Sequence, residues 1–355
     1  MNSRERILAA ARFQETDCLP VAPYMGNHGA RVAGTPLGEY CTNARALAQA
    51  QLKAWEVYGQ DAVVAQSDNY YMAEAFGLVA RFYEDSIPTV ERTAIETLAD
   101  AARLRKPNPA TDGRMPVYLE AIRILKELTG NEVAIRGCGT GPFVLAGHLL
   151  GPAKLVLEVA NIEYGEGGDA SALRALLELC TETLIDFAVL QLEAGATIVQ
   201  CADSLASIDM ISPSIYEKFV FPHEVRFYQS VAPHCRRHDA VSLLHICGNN
   251  AKVFHLYRDV GADIVAVDHK ADLSEAKRVM GDRVCLIGNL DPSSLLLAGS
   301  VADVERESRR CIEKAANGGG YILGTGCEVA ERTPRDNIKA MVRMAREHRS
   351  HGVGR

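Results

Sequence analysis

The sequence predicts an α/β fold, a (β/α)8 barrel, and three observations carry that expectation. Short apolar, β-branched runs recur along the chain, each followed by a Gly, Asp or Asn turn and then a helical pattern. The runs VSLLHIC, DIVAVD, VCLIGN and YILGTGC are nearly continuous apolar segments, as parallel strands buried on both faces require. Polar residues gather at the ends of these runs, the end at which such a barrel builds its active site.

Eight strands are expected, at Leu19–Met25, Asp61–Asp68, Glu132–Gly137, Thr197–Asp203, Val241–Cys247, Asp263–Asp268, Val284–Asn289 and Tyr321–Cys327. Between them, segments such as SALRALLELCTETLIDFAVLQLEAG and TPRDNIKAMVRMAREH repeat apolar residues at helical spacing. Thr333 and Pro334 open the last of these as a cap and a first-turn proline. The long stretch Phe76–Gly130, between the second and third strands, is expected to hold extra helices that cover part of one end. An open doubly wound sheet is the competing arrangement. No linker, repeat or low-complexity tract divides the chain, so residues 1–355 are expected to form one barrel domain with an N-terminal helical extension.

Composition excludes several classes of function. A net charge of −7 gives no electrostatic reason to expect nucleic-acid binding. The N-terminal MNSRERILAAARFQETD is an amphipathic helix with interspersed acids, unlike a signal peptide. No apolar run approaches the roughly 18 residues of a membrane span. A cytoplasmic protein is therefore expected, without membrane contact, and its ten cysteines are expected as free thiols in a reducing compartment.

The strand ends carry the candidate chemistry. The second ends in Ser67 and Asp68, the fourth in Asp203, the fifth in His245 and Cys247, the sixth in Asp268, the seventh in Asn289 with Asp291 beyond, and the eighth in Cys327 and Glu328. His245 and Cys247 stand two apart on a strand and so point to the same side. Cys327 ends the last strand on the same rim. Two thiolates and one imidazole make a zinc set, and three protein ligands leave a position open for chemistry. Gly248 and Gly326 beside them allow close approach. The acids have plainer alternatives: Asp203, Asp268 and Asp291 as helix caps, Asp68 and Glu74 as solvated surface, Asn249 and Asn289 as turn formers.

Taken together, SRERILAAARFQETDCLPVAP, SDNYYMAEAFG, GTGPFVLAGHLLG, AGATIVQCADSLASIDMISPSIYEKFVFP, LLHICGN, IGNLDP and YILGTGCEVAERTPRDNIKAMV resemble the uroporphyrinogen decarboxylase superfamily over nearly the whole chain. Within it they are most similar to the zinc-dependent corrinoid methyltransferase branch. The arginine-rich segment with which true decarboxylases grip carboxylates is replaced here by PYMGNHGARVAG, where only Arg31 remains. Asp68 does match the decarboxylase aspartate.

By the resemblance, His245, Cys247 and Cys327 bind Zn2+, with Glu328, Asp203 or Glu193 as a candidate fourth ligand. The implied reaction moves a methyl group between a small donor or acceptor and the cobalt of a corrinoid (methylcobalamin) held on a separate protein. In one direction zinc activates a thiol acceptor. In the other it polarises the oxygen of a methyl ether or methanol-like donor. The second is slightly favoured, because no polar signature for a sulfonate stands out. Asp68, Glu74, Asp203 and Asn289 are the catalytic candidates, and Asn249, Tyr321 and Asp268 are candidates for substrate or cofactor contact. A homodimer is possible by the same resemblance. The competing enzyme is a metal-free, decarboxylase-like lyase using Asp68 and Arg31. A corrinoid-carrier reading is disfavoured because the chain lacks a D-x-H-x-x-G signature.

Overall fold

The computed structural model describes residues 1–348. Its strands are β1 (Ala62–Ala65), β2 (Val79–Arg81), β3 (Thr89–Arg92), β4 (Ala134–Gly137), β5 (Ile198–Ala202), β6 (Val241–His245), β7 (Ile264–Ala266), β8 (Cys285–Leu290) and β9 (Tyr321–Thr325). Seven of them form one curled parallel sheet in the order β1-β4-β5-β6-β7-β8-β9, while β2 and β3 pair as a separate antiparallel hairpin. Helices join successive strands of the large sheet, as parallel neighbours need.

The expected first strand, Leu19–Met25, shrinks to a single bridge between Val21 and Leu323. Pro20 and Pro23 flank that position and remove two N–H donors, so no ladder propagates. The segment still touches both edge strands. Ala22 N–H donates to the Leu323 carbonyl at 2.9 Å, and Asp61 N–H donates to the Val21 carbonyl at 2.7 Å. The stretch 76–130 also differs from expectation. It holds the β2–β3 hairpin and a short 3-10 turn, Leu98–Arg103, before the helix Met115–Thr129.

Two apolar layers result. Inside the curl, Ala134, Ile198, Leu243, Ile264 and Ile322 pack with Ile7 and Leu8 of the helix Ser3–Ala11, which lies across the strand starts. Outside it, a larger core fills the space between sheet and helices. This apolar layer fills the curl at the strand starts and leaves the strand ends to carry the polar residues. No single helix among the described residues is long and apolar enough to cross a membrane, and all ten cysteines are free thiols.

Candidate metal centre

His245 ends β6 and Cys247 follows it two residues on, so the pleat turns both to the same side. Cys327 arrives from the end of β9. The three ligand atoms lie within 4.8 Å of one another. Cys247 Sγ stands 3.3 Å from His245 Nε2 and 3.2 Å from Cys327 Sγ, and Cys327 Sγ stands 4.0 Å from His245 Nε2. Tetrahedral zinc, with bonds of about 2.3 Å to sulfur and about 2.0 Å to nitrogen, holds such atoms roughly 3.5–3.8 Å apart. The observed spacings of 3.2–4.0 Å bracket that range without falling in it, and the chemistry of the donor set suits that ion.

Local geometry holds the cluster in place. Gly248 follows Cys247 at φ +97°, where a Cβ would come within 2.2 Å of Ser207 Oγ. The Gly248 N–H donates to Asp268 Oδ2 at 2.9 Å, so Asp268 fixes the turn that carries Cys247. Gly326 lets the β7 loop pass close to Cys327, because a Cβ there would meet the His269 nitrogen at 2.3 Å. Ser204 Oγ donates to Cys247 Sγ at 3.4 Å. Hydrogen bonding with Cys327, and then with Ser204, lowers the Cys247 thiol pKa, while the same contact with Cys247 raises that of Cys327. The two shifts therefore run in opposite directions. Burial pushes Glu328 up to about 7, and its Oε1 accepts from Asn27 N–H at 2.7 Å.

The other expected site residues divide sharply. Asp68 and Glu74 converge on Arg114, which the sequence reading did not select. Its guanidinium donates to both Asp68 oxygens at 2.7 and 2.9 Å and to Glu74 at 2.6–3.0 Å. Asp203 is fully buried, and its oxygens accept from the N–H groups of Phe143 and Val144 at 3.1 and 2.6 Å. Asp203 thus caps the start of the helix Pro142–Leu150, and not the turn that follows it in sequence. Asn249 Oδ1 accepts from Ala251 N–H at 3.3 Å, as a turn former does.

Asn289 and Tyr321 lie away from the centre. The Asn289 amide donates to the carbonyls of Asp268 and Ala271 and lines an outer cavity of about 720 Å³ with Asp272 and Cys311. Tyr321 is the first residue of β9, at the opposite end from Cys327. Its hydroxyl donates to the Gly288 carbonyl at 2.6 Å, and it lines a cavity of about 1240 Å³ beside Phe13 and Gly320. Its place at a strand start, rather than a strand end, is what removes it from the mouth. Glu193 is exposed on the helix Ala170–Ala194. Arg31 pairs with Asp85 and Glu331 and does not meet Asp68.

The curled parallel sheet and the ligand cluster at its strand ends together define an α/β enzyme scaffold. The chain belongs to the uroporphyrinogen decarboxylase (URO-D) family, whose pattern it matches over residues 2–348. It is similar to the methylcobamide:CoM methyltransferase MtbA of Methanosarcina mazei, 29% identical over 351 residues, 98% of each chain. It is also similar to the uroporphyrinogen decarboxylase of Trichlorobacter lovleyi, 27% identical over 304 residues, 86% of this chain and 85% of that one. Among solved structures, a methyltransferase from Methanosarcina mazei superposes with a TM-score of 0.87 at 29% identity, covering 98% of this chain and 99% of that one.

Proposed function

We propose that this protein is a zinc-dependent methyltransferase that moves a methyl group between a small thiol and the cobalt of a corrinoid carried on a separate protein. The observation that carries the reading is the meeting of His245, Cys247 and Cys327 within 4.8 Å, in a chain similar along its length to methylcobamide:CoM methyltransferases. Those relatives favour a thiol partner over the oxygen donor that the sequence slightly favoured. The scaffold is a (β/α)8 barrel in which the segment around Val21 takes the place of one strand.

His245, Cys247 and Cys327 would hold the ion, which supplies Lewis acidity to keep a substrate thiol ionised at neutral pH. The chain's own residues do the rest. Asp268 holds the Gly248 turn, and Ser204 orients the Cys247 sulfur. Glu328, whose carboxyl burial pushes up to about 7, follows Cys327 directly and can take or return a proton. Asp203 caps the helix Pro142–Leu150 and carries no substrate contact in this reading. Free thiols throughout suit a reducing cytoplasm. The lyase alternative has no support in the geometry, since Asp68 is bound to Arg114 and Arg31 lies with other acids.

Metal content after dialysis tests the centre. At this centre the wild-type protein should retain about one zinc per chain and Cys327→Ala should lose it. The absorbance of methylcobalamin tests the reaction, with demethylation expected on adding thiol to the wild type and a rate at least about a hundredfold lower in the variant. A folded wild-type protein that binds no metal would overturn this reading.

A further inference from the structure

Cys201 and Asp203 stand two apart at the end of β5, and the pleat turns both away from the interior of the curl, toward the helices. The helix Phe221–Arg237 packs behind β6 and brings Glu224 to the same place. Cys201 Sγ and one carboxylate oxygen from each acid lie within 4.8 Å of one another, and all three residues are fully buried. Among the described residues the only other such group is that of His245, Cys247 and Cys327.

Buried acids ordinarily have a cation beside them. Among the described residues these two have none. Asp203 accepts from two N–H groups at the start of the helix Pro142–Leu150, which compensate it in part. Glu224 has only the Tyr216 hydroxyl, on Oε2, and its Oε1 meets no partner. The Tyr257 hydroxyl is buried and idle as well, and its ring packs edge-on against Tyr216 with centroids 5.6 Å apart at 65°. Burial, then the charges of Glu224 and Asp203, raise the Tyr257 phenol, so this hydroxyl feels both acids. Two acids, a thiol and a phenol are thus enclosed together without a positive charge.

An enclosed acid without a partner takes up a proton or a cation, and the third donor favours a cation here. A shared proton needs only the two carboxyls. A thiol beside them completes the donors of a borderline divalent ion, since sulfur selects zinc over magnesium or calcium. Burial raises Asp203 to about 7 and holds Glu224 and Cys201 well above their usual ranges. A bound divalent ion is the charge that would keep all three ionised.

We propose that Cys201, Asp203 and Glu224 form a second metal site, which takes a divalent cation of the zinc class. The ion ties β5 to the helix Phe221–Arg237 and, through the Asp203 cap, to the helix Pro142–Leu150. Asp203 N–H donates to the His245 carbonyl at 3.0 Å, so the ion stands one hydrogen bond behind a residue of the first cluster. Its ligands are enclosed on all sides, which makes the site structural and couples its filling to folding. The site stands apart from the methyl-transfer reading and does not depend on it.

Elemental analysis of the purified full chain should find about two zinc ions per chain, of which Cys327→Ala removes one and Cys201→Ser or Glu224→Gln the other. A chelator should strip the first cluster sooner, because Cys247 and Cys327 are partly exposed while the second set is fully buried. Cobalt(II) gives a second readout. In the Cys247→Ala/Cys327→Ala protein, grown with cobalt in place of zinc, a thiolate-to-cobalt charge-transfer band should persist, and adding Cys201→Ser should abolish it. Should Cys201→Ser fail to fold, Glu224→Gln, which keeps the size of the side chain, carries both measurements.

A single zinc that only Cys327→Ala removes overturns the second site, as does a cobalt band that Cys201→Ser leaves unchanged. Two ions that both depart with Cys327→Ala overturn it equally. A single zinc that only Cys201→Ser removes overturns the first centre while the second stands.

Discussion

Two buried arginines in this protein have opposite surroundings. Arg114 is enclosed by carboxylates, with Asp68 bidentate on one side, Glu74 on the other, and the Tyr118 hydroxyl within 3.3 Å. Arg136 has a tyrosine face and one amide oxygen. Both are desolvated, and a desolvated charge costs several kcal/mol unless partners compensate it. The first network is complete and ties the end of β1 to the helix Met115–Thr129. The second is incomplete within the chain. A complete network stabilises the fold and an incomplete one does not, a rule open to test at several places here.

The largest effect is expected at Arg114. Arg114→Leu leaves Asp68 and Glu74 as buried, unpaired acids, and should cost about 3–5 kcal/mol of stability. Urea midpoints measure it. Arg136→Leu removes a charge that no carboxylate compensates and should leave the midpoint unchanged or raise it. Equal losses in the two variants would erase the contrast.

A carboxylate version of the contrast comes next. Glu224 is fully buried, accepts from the Tyr216 hydroxyl, and has an Oε1 without a partner. Burial, and then the nearby Asp203 charge, raises its pKa well above 4.5. Without a bound ion, the fold therefore keeps this proton while the unfolded chain releases it. Glu224 stabilises fully below its unfolded pKa, and that contribution is lost as pH rises toward the folded value, at up to about 1.4 kcal/mol per pH unit. Glu224→Gln mimics the protonated acid and should lose no such increment. Denaturant curves with a chelator present, between about pH 5 and 8, should show the variant gaining on the wild type as pH rises, and a constant gap would contradict this.

The smallest effect is expected at Arg31, whose partners Asp85 and Glu331 are 54% and 39% exposed. Surface pairs contribute little. Arg31→Ala should leave the melting temperature in place and change the methyl-transfer rate by less than about twofold. A large loss of activity would restore Arg31 as a substrate group and favour the lyase reading.

How much of this could be read from the sequence varies residue by residue. The pairing of His245 with Cys247 needs only the two-residue period of a strand, and the sheet order follows from the alternation of strands and helices. Arg136 did leave a signal, as a charge inside the apolar run VAIRG, with Gln200 inside TIVQCA. Polar residues in mid-strand are the exception in a buried parallel sheet, so both could have been selected. Arg114 left none. It sits in a loop 46 residues from Asp68, and no local pattern announces the partner of a loop arginine.

By itself the sequence determined the alternating α/β architecture, the family, and three ligand-type residues at strand ends. Strand periodicity and residue chemistry are local properties, and a linear chain displays them. Only the tertiary structure decided that Pro20 and Pro23 reduce a strand to one bridge and that Asp203 caps the helix Pro142–Leu150. It also decided which buried arginine is paired and which is not. Those outcomes depend on which groups meet across long loops, and on whether a desolvated charge finds a partner once they do.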